Sequence, residues 1–357
     1  MGGMTARARR WAATMDGHPC AAAVRLAHAD SHAGTGRVSL LGRQEREAAE
    51  DNELAPGATR ARGAGRRAEA EEPDALRTCF ERDRDRILHS AAFRRLAGKT
   101  QVFIFPRDHQ RTRLTHALEV AQVAVGIARA VRLNVPLVEA IALGHDCGHG
   151  PGGHASEDAL SPYLPGGFDH AVWGADVVLC ALNLCEETLD GIRNHSWSLP
   201  APSTPEGEVA SWADRIAYVC HDFEDAVRAG IVTPAMLPPL VRRRCGETRS
   251  EQLGAFIGGV VEATVATGRI GMAEDFAECL AAFRAFNYER IYCRPASTAQ
   301  ARAVVRLLRA LVEHFVEQGQ DVREAVTYVG GMTDRFACET ALSQLDWDPA
   351  DLPNGVE

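Results

Sequence analysis

The sequence predicts an all-α protein. Long segments repeat apolar residues at three- and four-residue steps, the spacing of one helix face. Strand-type alternation of apolar and polar residues is nearly absent. Asn, Gly and Pro fall at the ends of the periodic segments, where they stop and restart a helix. No internal repeat is visible, and the chain of 357 residues is long enough for one large core with a smaller part attached.

Taken in order, residues 1–72 are dense in Ala, Gly, Arg and Glu and poor in large apolar residues, so they are expected to be mobile. Met1–Arg25 has the Ala/Arg composition of a transit peptide. An unstructured start, or initiation at Met4 or Met15, accounts for it more simply. The segment "RDRDRILHSAAFRRL" places Ile87, Leu88, Phe93 and Leu96 at helical spacing. Its acids alternate with its bases, which fits a buried, ion-paired helix better than a basic nucleic-acid face. "RTRLTHALEVAQVAVGIARAV" is the strongest helix, with Leu114, Leu118, Ala121, Val125 and Ala128 on one face, ended by Asn134 and Pro136. "PLVEAIALGHDCGH" is expected to stay helical to His149, where "GPGG" breaks it. "EVASWADRIAYVCHDFEDAVRAG" is stopped by Gly230. Further helices are expected over 251–266, 274–291 and 299–317. Residues 73–230 form the expected catalytic core, and 231–357 a helical C-terminal part packed on it.

Composition is ordinary for a globular chain, with 46% apolar and 24% charged residues. A net charge of -9 argues against a surface built wholly to grip nucleic acid, though a local basic groove is compatible with it. No run approaches the ~20 apolar residues of a membrane span, and no secretory h-region is present. Ten cysteines form no CxxC pair and mostly sit in apolar helical patterns, as expected of a reduced, cytoplasmic protein.

The chemistry concentrates around His145–Asp146. "LGHDCGHGPGGH" puts three histidines and an aspartate beside glycines that let the backbone turn sharply. His145 and His149, four apart, would share a helix face. His116 and Asp214 lie in otherwise apolar helices, where an unpaired polar group is costly. Each alone has a plain reading: His116 as a hydrogen-bonded core residue, Asp146 as a cap, Asp214 as a partner of Arg215 or Arg228. Together, the order H…HD…D on three successive helices points to one divalent ion held by His116, His145, Asp146 and Asp214. Two imidazoles and two carboxylates suit Mn, Mg, Fe, Zn or Ni better than a thiolate-seeking metal.

The segments "RDRDRILHSAAFRRLAGKTQVF", "RTRLTHALEVAQVA", "AIALGHDCGHGPGGHASEDAL", "GFDHAVWGADVV", "LNLCEETLDGIRNH", "ADRIAYVCHDFEDAVRAG" and "GMTDRFA" resemble the HD-domain superfamily. The closer resemblance is to its deoxyguanosinetriphosphate triphosphohydrolase-like branch, from about Arg82 to Phe336. The resemblance implies an HD-domain helical core with additional C-terminal helices. It also implies the reaction of a dNTP with water to give deoxynucleoside and tripolyphosphate. Carried over by position, His149, His154, Glu157 and His170 match the catalytic positions, with Glu157 orienting His154 or holding its proton. Gln101, Arg113, Arg215, Tyr218 and Asp222 match the substrate contacts. Arg215 and Arg113 would meet phosphate, Tyr218 would pack on the sugar, and Asp222 with Gln101 would bond the 3′-hydroxyl. The plain readings are core packing for Tyr218 and solvated or ion-paired surface for the arginines, weighed about equally for Arg111. The resemblance further implies a homo-oligomer, tetrameric or hexameric, and a second dNTP as activator. Single-stranded nucleic acid is not indicated as a partner. A different HD nucleotide phosphohydrolase, or a non-catalytic nucleotide- or nucleic-acid-binding HD protein, is the alternative. The family's loop after HD carries prolines and an aromatic; here it is "GPGGH", expected to be smaller and looser.

Overall fold

The structure is a computed structural model that describes residues 5–20, 23–106 and 109–354. Met4, one of the alternative starts, lies outside them. The chain divides into two compact units, Met1–Leu41 and Gly42–Glu357.

The first unit holds helix α1 (Ala6–Ala13), whose N-cap Thr5 accepts a hydrogen bond from the Ala8 amide, and an antiparallel hairpin of β1 (His18–Cys20) and β2 (Val24–Leu26). These are the only strands among the described residues. The second unit is helical throughout: α2 (Arg43–Glu53), α3 (Cys79–His89), α4 (Ala91–Arg95), α5 (Arg113–Ala130), α6 (Val135–Gly144), α7 (Ala155–Leu160), α8 (His170–Trp173), α9 (Glu186–Arg193), α10 (Pro205–Arg228), α11 (Pro239–Cys245), α12 (Arg249–Thr267), α13 (Glu274–Asn287), α14 (Pro295–Glu317), α15 (Val322–Gly330) and α16 (Asp334–Gln344). The all-α expectation therefore holds.

Residues 42–72, within the segment expected to be mobile, group with the second unit. Small residues and paired charges, rather than large apolar ones, pack the segment 42–72. Ala58 and Ala61 are buried, and Glu50 accepts from the Ala61 amide at 2.7 Å. Arg67, buried to its guanidinium, meets Asp83 of α3 at 2.5 Å. Asp83 also accepts from Thr188 and from the Cys185 amide. Composition scans miss this because each partner lies far along the chain.

Helices α3, α5, α6 and α10 pack through Ile87, Ile127, Ile141 and Ile216 into the larger core. A second, separate core joins α7, α14, α15 and α16 through Leu160, Leu307, Leu311 and Val329. The chain passes between the two cores through residues 145–154: Cys147 belongs to the first core and Ala155 to the second.

Candidate metal centre and active-site cavity

Helix α6 ends at Gly144, five residues earlier than expected. His145 to His149 run as tight turns, with the Cys147 amide on the Gly144 carbonyl and the His149 amide on the Asp146 carbonyl. A close approach explains the break. A Cβ on Gly148 would lie 2.0 Å from the His170 carbonyl oxygen, so the chain folds flat under α8 only with glycine there. His145 and His149 therefore converge on Asp146 by turn geometry and not by sharing a helix face. Nor are the metal-site helices successive, because α7, α8 and α9 intervene between α6 and α10. His154 caps the start of α7, His170 lies in α8 and His195 follows α9.

The four expected ligands meet. His116 Nε2, on α5, lies 3.0 Å from Asp214 Oδ1 on α10 and 3.8 Å from Asp146 Oδ2. His145 Nε2 lies 3.5 Å from Asp146 Oδ1 and 3.6 Å from Asp214 Oδ1. His145 Nδ1–H donates to the Ala142 carbonyl at 2.7 Å, so the lone pair sits on Nε2, which is buried and has no hydrogen-bond partner among the described residues. An orphaned imidazole nitrogen facing two carboxylates is the arrangement a divalent cation satisfies, and the donor set fits one. Burial pushes the Asp146 carboxyl up. The Arg113 guanidinium, 2.7 Å away, and the neighbouring imidazoles outweigh it and hold the group well below the usual carboxylate range. Asp214 is lowered likewise: burial opposes, and the polar contacts with the surrounding imidazoles, His116 foremost, prevail.

Of the thirteen expected site residues, all but His145 and Glu157 line a single cavity of about 530 Å³, within the ordinary range for ligand pockets. Those two stand behind the wall. Glu157 does not serve His154 as expected. Its Oε1 accepts from His170 Nδ1–H at 2.6 Å and from the His170 amide at 3.0 Å. His170 Nε2 is 3.2 Å from His195 Nε2, and His195 Nδ1–H already donates to the Ile192 carbonyl at 2.8 Å. A neutral His195 can then only accept through Nε2, so His170 donates at both ends. Consistently, burial lowers the His170 pKa but the Glu157 hydrogen bond and the Asp146 charge raise it overall. Glu157 is held at about 2, the His170 interactions outweighing burial. His154 lines the cavity and keeps exposed surface. Crowding by the surrounding protein and the charges of Arg113 and His170 lower its pKa. His149 stacks on His170 at 3.7 Å between ring centres, and burial and Arg113 keep it well below its usual value.

The substrate residues are placed less uniformly. Arg113 is almost fully buried with one nitrogen on Asp146, while its Nε and Nη2 have no partner among the described residues. Gln101 Oε1 is similarly unpartnered. Arg215 lies 3.6 Å over the Trp197 ring. The Tyr218 hydroxyl accepts from Arg284 Nε at 2.8 Å. Asp222 is buried, bonded by the Tyr292 hydroxyl at 2.5 Å and by Arg111, and burial raises its pKa. Arg111 is thereby an interior residue, also pairing with Glu119 and Asp225. The "GPGGH" loop is small but not loose: a Cβ on Gly152, at φ +74°, would lie 2.5 Å from Val304, so α14 fills the space that larger loop residues would take.

Sequence reasoning missed His195, Trp197, Arg284 and Tyr292 as cavity residues. His195 also falls within 4.8 Å ligand-atom range of His145 and Asp146. Its only signal was a polar residue just past the amphipathic helix in "LDGIRNH". The other three reach the cavity from segments with no spacing relation to the HD pair.

Comparison with known proteins accords with this geometry. Residues 113–219 match the HD domain family. The chain is 40% identical over 305 residues to a deoxyguanosinetriphosphate triphosphohydrolase-like protein of Caldanaerobacter subterraneus subsp. tengcongensis, covering 80% of this chain and 90% of that one. It is 38% identical over 295 residues to a protein of the same description from Clostridium perfringens, covering 74% and 86%. A solved phosphohydrolase of Bacteroides thetaiotaomicron superposes with a TM-score of 0.48 at 18% identity, over 74% of this chain and 68% of that one. With its donor cluster inside the HD match and its relatives aligned over most of their length, the chain belongs to the deoxyguanosinetriphosphate triphosphohydrolase-like family of HD-domain phosphohydrolases.

Proposed function

We propose that the protein is a metal-dependent deoxynucleoside triphosphate triphosphohydrolase, in which water attacks the α-phosphorus, the bond to the 5′-oxygen breaks, and the deoxynucleoside departs with a proton while the three phosphates remain joined as tripolyphosphate. The observation that carries this reading is the convergence of His116, Asp146 and Asp214 on the wall of a cavity large enough for a nucleotide, with His145 Nε2 beside both carboxylates and cationic side chains along the same wall. Those four residues would hold the ion. When bound, a divalent ion offsets charge on the phosphoryl oxygens and eases deprotonation of a water.

The protein's own groups divide the remaining work. His170, with Nδ1–H on Glu157 and Nε2–H on His195, has its pKa raised and would bring positive charge to the phosphate end of the cavity. His154, its pKa lowered by its surroundings, would stand neutral on the cavity wall as a hydrogen-bonding partner for the attacking water or a phosphate oxygen. Arg113 fixes Asp146 and would bring positive charge to the phosphate side of the cavity wall. Tyr292 and Arg111 fix Asp222, whose carboxylate retains acceptor capacity for the 3′-hydroxyl beside Gln101. Tyr218 and Arg215 complete the sugar and phosphate walls. Assembly as a tetramer or hexamer and activation by a second dNTP belong to the same proposal.

Product analysis tests it. Each of the four dNTPs is incubated with Mn or Mg, with metal content measured on the same sample. Deoxynucleoside and tripolyphosphate are expected. Pyrophosphate or inorganic phosphate would move the protein to another HD nucleotide phosphohydrolase, and no product with any metal would remove catalysis. Asp146→Ala is expected to lose metal and turnover together, and full metal occupancy in that variant would refute the ligand assignment.

A further inference from the structure

The "GMTD" turn contributes nothing to the chemistry above, yet it reaches the active-site loop from 180 residues away. Asp334 is buried, with both carboxylate oxygens engaged outside its own helix. Oδ1 accepts from the Gly152 amide at 2.9 Å, and Oδ2 accepts from the Thr100 hydroxyl. Helix capping does not account for it, because that part is taken by Thr333, whose hydroxyl accepts from the Phe336 amide. Around this contact the two surfaces interlock. Lys99, buried beside it, donates to the carbonyls of His149 and Gly330. A Cβ on Gly98 would lie 2.9 Å from Thr333 Cβ, so the turn sits directly on the backbone before Gln101.

We propose that Asp334 is a positioning residue for the reaction: its carboxylate ties the loop carrying His149 and His154 to the segment carrying Gln101, and so sets the spacing between the phosphate and sugar ends of the cavity. The tie spans two segments that no helix connects directly. A buried carboxylate with two fixed donors is a costly group to keep unless both donors stay in place. The inference rests on the triphosphohydrolase reading only for the identity of the substrate.

The test uses full-length, metal-loaded protein. Asp334→Ala is expected to lower kcat by about 10²-fold, with metal content unchanged, and to speed amide exchange in the loop around Gly152. Asp334→Asn, which still accepts from the Gly152 amide, is expected to recover most of both. Thr100→Val, which keeps the side-chain shape, is expected to give a smaller loss of kcat and carries the test if Asp334→Ala does not fold. Wild-type kcat and wild-type loop exchange in Asp334→Ala, or in Thr100→Val where it stands in, would overturn the proposal. So would a loss that Asp334→Asn shares in full while loop exchange stays at the wild-type rate. Wild-type protein that hydrolyses no nucleotide would remove the substrate reading instead, leaving the exchange measurement to judge the tie.

Discussion

A histidine offers its Nε2 lone pair to a cation only if its proton sits on Nδ1, and the Ala142 carbonyl keeps it there for His145. The Ile192 carbonyl does the same for His195. Glu157 acts oppositely, holding a proton on His170. Three rings of one residue type are thus given different tasks by their second nitrogen. Among the described residues His154 has no such hydrogen-bond partner, and its ring is set by its place on the cavity wall. His154→Ala is expected to keep its metal but to lose rate by about 10²-fold or more; unchanged turnover would take His154 out of the mechanism. The clustering of His116, His145, Asp146 and Asp214 was legible in the sequence because His116 and Asp214 stand out in apolar helices and His145–Asp146 directly follows another. The pairing of Glu157 with His170 was not legible, since thirteen residues and a helix start separate them and only the packing of α8 on the loop brings them together.

Among the elements, α2 shows how a segment poor in large apolar residues still packs. Glu50 accepts from the Ala61 amide and from Asn134 Nδ2, fastening the segment after α2 to the start of α6. Burial raises its carboxyl to about 7 against those hydrogen bonds. A folded pKa above the ordinary value means that its contribution is full below the ordinary range, about 4.5, and is lost as pH rises through about 7. Wild-type protein is therefore expected to lose stability between about pH 5 and about pH 8, and Glu50→Gln to narrow that loss in denaturant titrations. An unchanged difference would show that Glu50 ionises freely. The spans of α10 and α12 followed apolar periodicity closely, because those faces line the larger core. On α5 the buried face runs through Ala117, Val120, Ala124 and Ile127, while Leu118, expected on the apolar stripe, is exposed. Prediction failed at the end of α6, where the stop is a contact with α8 that no local residue pattern encodes.

At the level of the whole chain, every expected site residue and both cores lie within Gly42–Glu357. Removing residues 1–41 is expected to leave metal stoichiometry unchanged and Tm within about 2–4 °C of the full chain, the shift of roughly 1 kcal/mol in a domain this size. A collapse in Tm would assign the first unit a structural role. The catalytic loop, by contrast, hangs between two separately packed cores, with Cys147 in one and Ala155 in the other. Such a loop keeps its shape only while both anchors hold their mutual register, and local opening needs less free energy than global unfolding. Gentle heating should therefore silence the enzyme while its circular dichroism still reports intact helices, so the temperature at which it stops working and the temperature at which it melts are separate properties of this molecule.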